Sequence, residues 1–217
     1  MWELLSPLPP EERDAFLAMA RRRSFGRNEV VCHEGDPADS LHLVQQGHFA
    51  VRGALATGET ATFNVLSAGD YFGELALLRA DRRRTATVVS LEPSLTLAVA
   101  ATTFEALRSR DPRIERVLTT LLGDRVDRLS RRLLETMYEG LDRRVYRRLV
   151  ELATSYGLED GRATIPLSQA SLAELVGATR PSVNQVLQRL ADQHLVRLSR
   201  QRIDVLDADA LARRLPR

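Results

Sequence analysis

The sequence predicts an α+β protein with an N-terminal antiparallel β domain, a long helix and a C-terminal winged helix-turn-helix. Three observations predict this fold class: short apolar runs separated by turn residues before position 100, a helical apolar repeat after Pro112, and a helix–turn–helix–hairpin pattern near the C-terminus. We expect domain boundaries at 1–111 for the β domain, 112–141 for the long helix and 142–217 for the winged helix-turn-helix.

The composition is that of a globular protein. Hydrophobic residues account for 44% of the 217 residues and charged residues for 28%, which excludes a chain disordered by composition. No apolar run is long enough to cross a bilayer, and the N-terminal residues lack the features of a secretory signal, so we expect a cytoplasmic protein without a membrane partner. The single cysteine, Cys32, excludes a cysteine cluster for zinc or iron–sulfur, and we expect no metal.

Charge is distributed unevenly along the chain. Residues 1–112 contain 12 Arg and 15 Asp or Glu, whereas residues 113–217 contain 19 Arg and 14 Asp or Glu, and the chain has no Lys. A basic C-terminal half beside an acidic N-terminal half indicates an anionic partner for the second half. A solvated, arginine-rich surface without such a partner explains the same counts.

Short apolar or β-branched runs alternate with Gly, Asp, Asn and Ser in the β domain. The runs are 30–31, 41–44, 49–51, 61–66, 85–89 and 95–99. Many short strands at this spacing predict a closed antiparallel structure, which can be a barrel, a sandwich or a roll. Before them, residues 3–23 predict a short helical entry.

Apolar residues recur at three- and four-residue steps after Pro112. They are Ile114, Val117, Leu118, Leu121, Leu122, Val126, Leu129, Leu133, Met137 and Leu141. This spacing predicts an amphipathic helix about 40 Å long, with a hinge near Gly140. Because a small domain cannot cover such a helix, we expect a second copy to pack against it and form a homodimer. The alternative is that the helix packs on its own β domain.

The C-terminal third predicts two helices joined by a tight turn. Ser168 caps a helix over residues 169–176, and Gly177 ends it in the positive φ that a sharp turn requires. Thr179 caps a second helix that starts at Arg180 and runs to about residue 193. This is the spacing of a helix-turn-helix, although a simple helical hairpin can match it by chance.

Residues 195–206 predict a β-hairpin wing after the second helix. The caps, the exposed face of the second helix and the wing tip carry the side chains that we expect to contact DNA: Ser168, Thr179, Arg180, Ser182, Asn184, Gln185, Gln188, Arg189, Arg200 and Arg202. Arg, Asn and Gln form bidentate hydrogen bonds with guanine or adenine, and wing arginines contact phosphates. A merely solvated helix face is the alternative, which the wing disfavours.

A second candidate site lies in residues 70–88. Gly73 opens a short helical turn whose free backbone N–H groups would lie near an anion. Arg84 can form a fork of hydrogen bonds with a phosphate, Thr85 can donate its hydroxyl, and Glu74 is an acceptor suited to a ribose hydroxyl. The segment therefore predicts a phospho-sugar site, with an ordinary Glu–Arg pair across a turn as the alternative.

The segment FGELALL followed by R-T-A-T-V, with a ten-residue step from Glu74 to Arg84, resembles the CRP/FNR family of bacterial transcription regulators. The resemblance extends over nearly the whole chain. It implies that the N-terminal domain is a cyclic-nucleotide-binding β-roll, or double-stranded β-helix, that the long helix dimerises, and that the winged domain binds a palindromic double-stranded DNA operator.

The resemblance also implies cAMP as effector and assigns residues to it: Gly73, Glu74, Arg84, Thr85, Arg125 and Ser130. Glu74 would accept from the ribose 2′-hydroxyl, Arg84 would contact the cyclic phosphate, and Ser130 would approach from the other subunit. Leu129 stands where the family's receptor has a threonine that contacts adenine, so cGMP, or no effector, stays open.

The family further implies RNA polymerase as a partner, contacted through the loop 156–164. In the second helix, Pro181 and Gln185 replace a glutamate and an arginine of the family's base-contacting set, so we expect an operator related to the family consensus but looser.

Four other functions are alternatives to this hypothesis. A regulator that binds DNA constitutively, with the β-roll as a dimer scaffold, and a nucleotide sensor without DNA binding both fit parts of the pattern. An enzyme does not, because no nucleophile with a neighbouring base, metal cluster or Walker motif is present. A haem sensor would need an axial ligand, and we expect His33, His42 and His48 to be turn or strand-surface residues.

Overall fold

The computed structural model describes residues 1–54 and 60–215, and the chain divides into two compact units. The first unit comprises Met1–Ala54 with Phe63–Arg128, and the second comprises Leu55–Thr62 with Leu129–Arg217. The three-part division that we expected from the sequence stays a prediction.

The first unit begins with a 3-10 turn at Glu3–Leu5 and helix α1 at Pro10–Ala18. The helical entry predicted up to residue 23 is wrong at its end, because Arg21–Phe25 forms strand β1. All of β1 pairs antiparallel with strand β8, Ser94–Ala100. Backbone pairing with a neighbouring strand outweighs the helical propensity of three consecutive arginines.

The remaining strands of the β domain are β2 (Val30–Cys32), β3 (Ser40–Gln46), β4 (Phe49–Ala54), β5 (Thr60–Leu66), β6 (Tyr71–Phe72), β7 (Thr87–Ser90) and β8. The described strands form two four-stranded sheets, with strand orders β1-β8-β3-β6 and β2-β7-β4-β5. Neighbours such as β3 and β8 are far apart in the sequence and pair antiparallel. These interleaved sheets confirm the predicted β-roll.

Apolar side chains from both sheets and from helix α3, Ala101–Arg110, fill the first unit. His42 lies inside this core and is 2% exposed, and His48 is also buried. The expectation of a turn or strand-surface position is therefore wrong for His42, whereas His48 lies in the turn between β3 and β4 as expected. Strand β3 is covered on both faces, so its period-two pattern does not place every second residue in solvent.

Helix α4, Pro112–Tyr138, begins in this core and then leaves it. Ile114 and Leu118 are fully buried among the residues of the first unit, which confirms for this end of the helix the alternative that it packs on its own β domain. Farther along, the apolar residues are between 47% and 78% exposed: Val126, Leu129, Leu133, Leu134, Met137 and Tyr138.

The second unit contains helices α5 (Leu141–Ser155), α6 (Gln169–Val176), α7 (Arg180–Asp192) and α8 (Ala208–Ala212), and strands β9 (Ala163–Ile165), β10 (Val196–Ser199) and β11 (Arg202–Val205). The described strands form one sheet in the order β10-β11-β9. The predicted helix-turn-helix and its wing are confirmed, whereas β9 and α8 were not predicted.

Candidate functional site

The turn between β6 and the short helix α2, Glu74–Leu78, requires glycine at position 73. Gly73 has φ of 96° and ψ of −7°, in the left-handed region. A Cβ atom there would lie 2.3 Å from Nη1 of Arg84 and 2.9 Å from the carbonyl oxygen of Ser40. The glycine therefore allows the Arg84 guanidinium to approach the backbone.

Arg84 is 6% exposed, although it carries a fixed positive charge. Its Nη1 donates to the carbonyl oxygen of Ser40 at 2.8 Å, and its Nη2 donates to Ser40 Oγ at 3.1 Å and to Asp39 Oδ1 at 3.2 Å. Its Nε is buried and has no hydrogen-bond partner. This N–H is a donor that a ligand with an acceptor oxygen can use.

Glu74 is 2% exposed and forms an ion pair with Arg125 of α4, with Oε1 2.9 Å from Nη1. Burial raises the pKa of the Glu74 carboxyl, and the Arg125 guanidinium opposes that rise. The negative charge at the base of the site is therefore held by a cation from the long helix.

These residues line a cavity of about 40 Å³, together with Thr85, Gly73 and Cys32. A polar cleft of about 300 Å³ lies next to it and shares Tyr71, Glu74 and Arg125 with it. Burial and the nearby Glu74 raise the pKa of the Tyr71 hydroxyl, which stays protonated and can donate. We name the cavity and the cleft together the cassette site.

The structure brings five of the six predicted ligand residues together: Gly73, Glu74, Arg84, Thr85 and Arg125. Ser130 is exposed on α4, in the second unit. Sequence reasoning missed Asp39 and Ser40, the acceptors of Arg84, because no sequence motif marks them as partners of an arginine 44 or more residues away.

The two helices of the helix-turn-helix are capped as expected. Ser168 Oγ accepts from the Ser171 N–H at 3.0 Å, and Thr179 Oγ1 accepts from the Ser182 N–H at 3.4 Å. Gly177 ends α6 with φ of 64°. Arg144 of α5, which sequence reasoning missed, donates to the carbonyl oxygen of Val176 at 2.6 Å and satisfies this helix end.

Helix α7 presents an exposed polar face. Arg180, Gln185, Gln188 and Arg189 are exposed, whereas Ser182 and Asn184 are half-buried. Asn184 Oδ1 is buried without a hydrogen-bond partner. Arg189 pairs with Asp142 at the start of α5, with Nη2 2.6 Å from Oδ1.

The wing places its two predicted phosphate contacts differently. Arg200 is exposed at the turn between β10 and β11. Arg202 pairs with Asp204 through Nε at 2.7 Å and Nη2 at 3.0 Å, and this bidentate contact lowers the pKa of the Asp204 carboxyl. Arg202 therefore already has a carboxylate partner within the wing.

The described part of the chain contains neither a candidate metal site nor a candidate membrane-spanning helix. Residues 1–54 and 60–215 contain no group of three or more His, Cys, Asp or Glu arranged to hold a metal ion. Over the same ranges, no helix is both long and apolar enough to span a membrane.

Comparison with known proteins identifies both units. Residues 22–111 match the cyclic nucleotide-binding domain, and residues 143–214 match the Crp-like helix-turn-helix domain. The chain is 30% identical over 209 residues to the Cyclic AMP receptor protein of Thermus thermophilus. The aligned region covers 96% of this chain and 94% of that protein.

A second relative is the CRP-like cAMP-activated global transcriptional regulator of Mycobacterium tuberculosis, at 29% identity over 196 residues, with 88% of this chain and 86% of that protein covered. The crystal structure of the Thermus thermophilus catabolite activator protein matches at a TM-score of 0.56 and 30% identity, covering 97% of this chain and 96% of that chain.

Proposed function

Because the chain belongs to the CRP/FNR family of DNA-binding transcription regulators, we propose that it is a homodimer whose binding to a palindromic operator is controlled by a cyclic nucleotide, cAMP. The observation that carries this proposal is the buried, unpaired Nε–H of Arg84 beside Glu74. A buried donor without a partner costs about 1–3 kcal/mol, which a bound anion would recover.

The cassette site has the chemistry that a cyclic nucleotide requires. Its phosphate is a monoanion, for which the Arg84 guanidinium and the Thr85 hydroxyl are suitable donors. Its ribose carries a 2′-hydroxyl, for which the Glu74 carboxylate is a suitable acceptor. Gly73 lets the Arg84 guanidinium lie close to the backbone of this turn.

The ion pair between Glu74 and Arg125 couples this site to the long helix. A ribose hydroxyl that bonds to Glu74 competes with Arg125, and Arg125 is then available for the phosphate. A ligand that changes the partners of Arg125 changes the relative free energies of the different positions that α4 can adopt. It therefore shifts the populations of these helix positions. This is the proposed allosteric step.

A second copy of the chain is the expected cover for the exposed apolar residues of α4. Val126, Leu129, Leu133 and Met137 recur at the three- and four-residue steps of a parallel helix pair. In such a pair, Ser130 of the partner subunit would approach the nucleotide. Leu133→Glu should shift sedimentation from dimer to monomer, whereas Arg131→Glu, on the opposite face, should not.

Operator binding is assigned to α7 and the wing. Arg180 and Gln185 project from the exposed face of α7, where they can contact bases in the major groove, and Arg200 can contact a phosphate. Two such units in a dimer would contact half-sites about 34 Å apart. We assign the segment 156–164, which is mostly exposed before strand β9 begins at Ala163, to the contact with RNA polymerase.

The size of the cavity supports one alternative. A volume of about 40 Å³ holds roughly one water molecule and no nucleotide without rearrangement. Leu129 also offers no hydrogen bond to a base. A regulator that binds DNA without an effector, with the Glu74–Arg125 pair as a permanent closure, is consistent with both observations.

Calorimetric titration with cAMP, cGMP and AMP distinguishes the two functions. We expect micromolar binding of cAMP by the full-length protein, loss of that binding in Arg84→Ala, and operator binding that depends on cAMP. Arg79→Ala is the matched control, because it removes an exposed arginine of the same segment that pairs with Asp81. Operator binding without any nucleotide, together with no heat from the three ligands, would establish the alternative.

A further inference from the structure

A buried histidine lies behind the Arg84 guanidinium. The His42 ring stacks flat on Phe72, with ring centroids 4.7 Å apart and an interplanar angle of 5°. Its Nε2 is 3.1 Å from Ser40 Oγ, and its Nδ1 is 3.0 Å from Thr96 Oγ1 on β8. Both ring nitrogens therefore have side-chain partners inside the core.

Ser40 connects His42 to the cassette site. Its hydroxyl accepts from Arg84 Nη2 at 3.1 Å and is 2.8 Å from Asp39 Oδ1, and its carbonyl oxygen accepts from Arg84 Nη1. Thr96, His42, Ser40 and Arg84 thus form one continuous chain of hydrogen bonds. This chain ends at the guanidinium whose Nε–H has no partner.

One arrangement of protons satisfies every member of this chain. A serine hydroxyl has one proton and can accept two hydrogen bonds. When Ser40 donates to Asp39, it accepts from Arg84 and from Nε2–H of His42, and Nδ1 of His42 then accepts from the Thr96 hydroxyl. The ring is neutral in this arrangement, because burial and then the nearby Arg84 and Arg23 lower the pKa of His42 to about 4.

We propose that His42 is a positioning residue for nucleotide binding, which fixes Ser40 so that the Arg84 guanidinium is held ready for the cyclic phosphate. The proposal rests on the proposed function, because a bound phosphate is what this positioning serves. Holding the arginine in place before binding lowers the entropy that binding must otherwise remove. His42 therefore affects the binding of the cyclic phosphate and not the recognition of the base.

Calorimetric titration of the full-length protein tests the proposal with three variants. His42→Phe keeps a ring on Phe72 and removes both hydrogen bonds, Ser40→Ala removes the next link, and the double variant removes both. We expect each single variant to weaken cAMP binding roughly five- to tenfold, and the double variant to weaken it no further, because the two residues act in one chain.

A second ligand and a matched control test whether the effect of His42 is specific to phosphate binding. We expect His42→Phe to weaken cAMP and cGMP by the same factor, since both contain the same cyclic phosphate. His48→Phe is the matched control: it removes another buried histidine of the β domain, paired with Glu92, and should leave nucleotide affinity unchanged. Thr96→Val provides a milder break in the chain if His42→Phe fails to fold.

The outcomes separate the two proposals. If the wild type binds cAMP and the folded His42→Phe binds it with the same affinity, the role of His42 is overturned and the proposed function is not. The same holds for Thr96→Val where that variant replaces His42→Phe. Additive losses in the double variant would do the same. Absence of nucleotide binding by the wild-type protein would overturn the proposed function and, with it, this inference.

Discussion

The two candidate sites differ in burial and in how many of their polar groups already have partners in the absence of a ligand. In the cassette site, Glu74 and Arg84 are almost completely buried, and most of their polar atoms already bond to the protein. In the helix-turn-helix, Arg180 and Gln185 are exposed on a capped helix. The first site must rearrange to admit its ligand, whereas the second is a surface already formed on a rigid element.

Under the proposed function, this difference assigns regulation to the cassette site. A closed site whose charges are paired across two elements couples ligand entry to movement, because any ligand must replace those pairs. The exposed surface of the helix-turn-helix, in contrast, needs only the correct orientation towards its ligand in order to bind it. The exposed pair Arg189–Asp142 does not alter this, since solvent-exposed ion pairs contribute about 0–1 kcal/mol.

Closing the cassette site completely should give the largest effect. Gly73→Ala places a methyl group against Arg84 and Ser40 and forces a non-glycine residue into φ of 96°. We expect calorimetry to show a loss of cAMP affinity on the order of 100-fold or more, since strain and clash together amount to several kcal/mol. Gly35→Ala is the control: it has φ of 87° with nothing within 4 Å of the added Cβ, so it isolates backbone strain. Equal losses in both variants would contradict the steric argument.

The buried His42 should give the next largest effect, on stability. Its pKa is lowered from 6.5 to about 4, so above pH 6.5 the ring is neutral in both the folded and unfolded states. As the pH falls towards 4, only the unfolded chain takes up this proton, and the free energy of unfolding decreases by roughly 3 kcal/mol. Arg84, Arg23 and Asp39 are the charged groups that act on the ring.

Urea unfolding of the wild type and His42→Phe at several pH values between 7 and 4 measures this contribution. Carboxyl groups titrate in the same range in both proteins, so the difference between their slopes isolates His42. A wild-type slope no steeper than that of His42→Phe would show that the folded protein binds the proton as readily as the unfolded chain.

The exposed site should give the smallest effect. Arg180→Ala should weaken operator binding by about 1–3 kcal/mol and relax base preference at one position, without changing cAMP affinity. Gel-shift or anisotropy titrations at several salt concentrations measure this. Gln193→Ala is the control, because Gln193 is exposed at the C-terminal end of α7 and is not among the expected contacts. An equal loss on random-sequence DNA would indicate that Arg180 contacts a phosphate and not a base.

The sequence predicted the exposed site better than the buried one. The caps Ser168 and Thr179 and the glycine at 177 are local signals, and the structure has the predicted helices within one residue of their expected ends. Glycine 73, Glu74 and Arg84 were found because they lie in one short segment. The partners that hold Arg84, namely Asp39, Ser40 and, through Ser40, His42, lie more than 40 residues away, and no local pattern connects them.

Two further errors have the same cause. Arg21–Arg23 was expected in a helix, and His42 was expected on a strand surface, because propensity and period-two alternation describe a segment by itself. The first became a strand by pairing with β8, and the second was buried because β3 is covered on both faces.

Local periodicity, capping and short motifs were sufficient to predict the class of fold, the family and the residue types of both sites from the sequence alone. Only the tertiary structure decided which charges meet: that Arg125 neutralises Glu74, that Ser40 holds Arg84, and that one N–H of Arg84 is left unpaired. Those contacts join segments distant in the sequence, and the free energy of burying a charge depends on the groups around it.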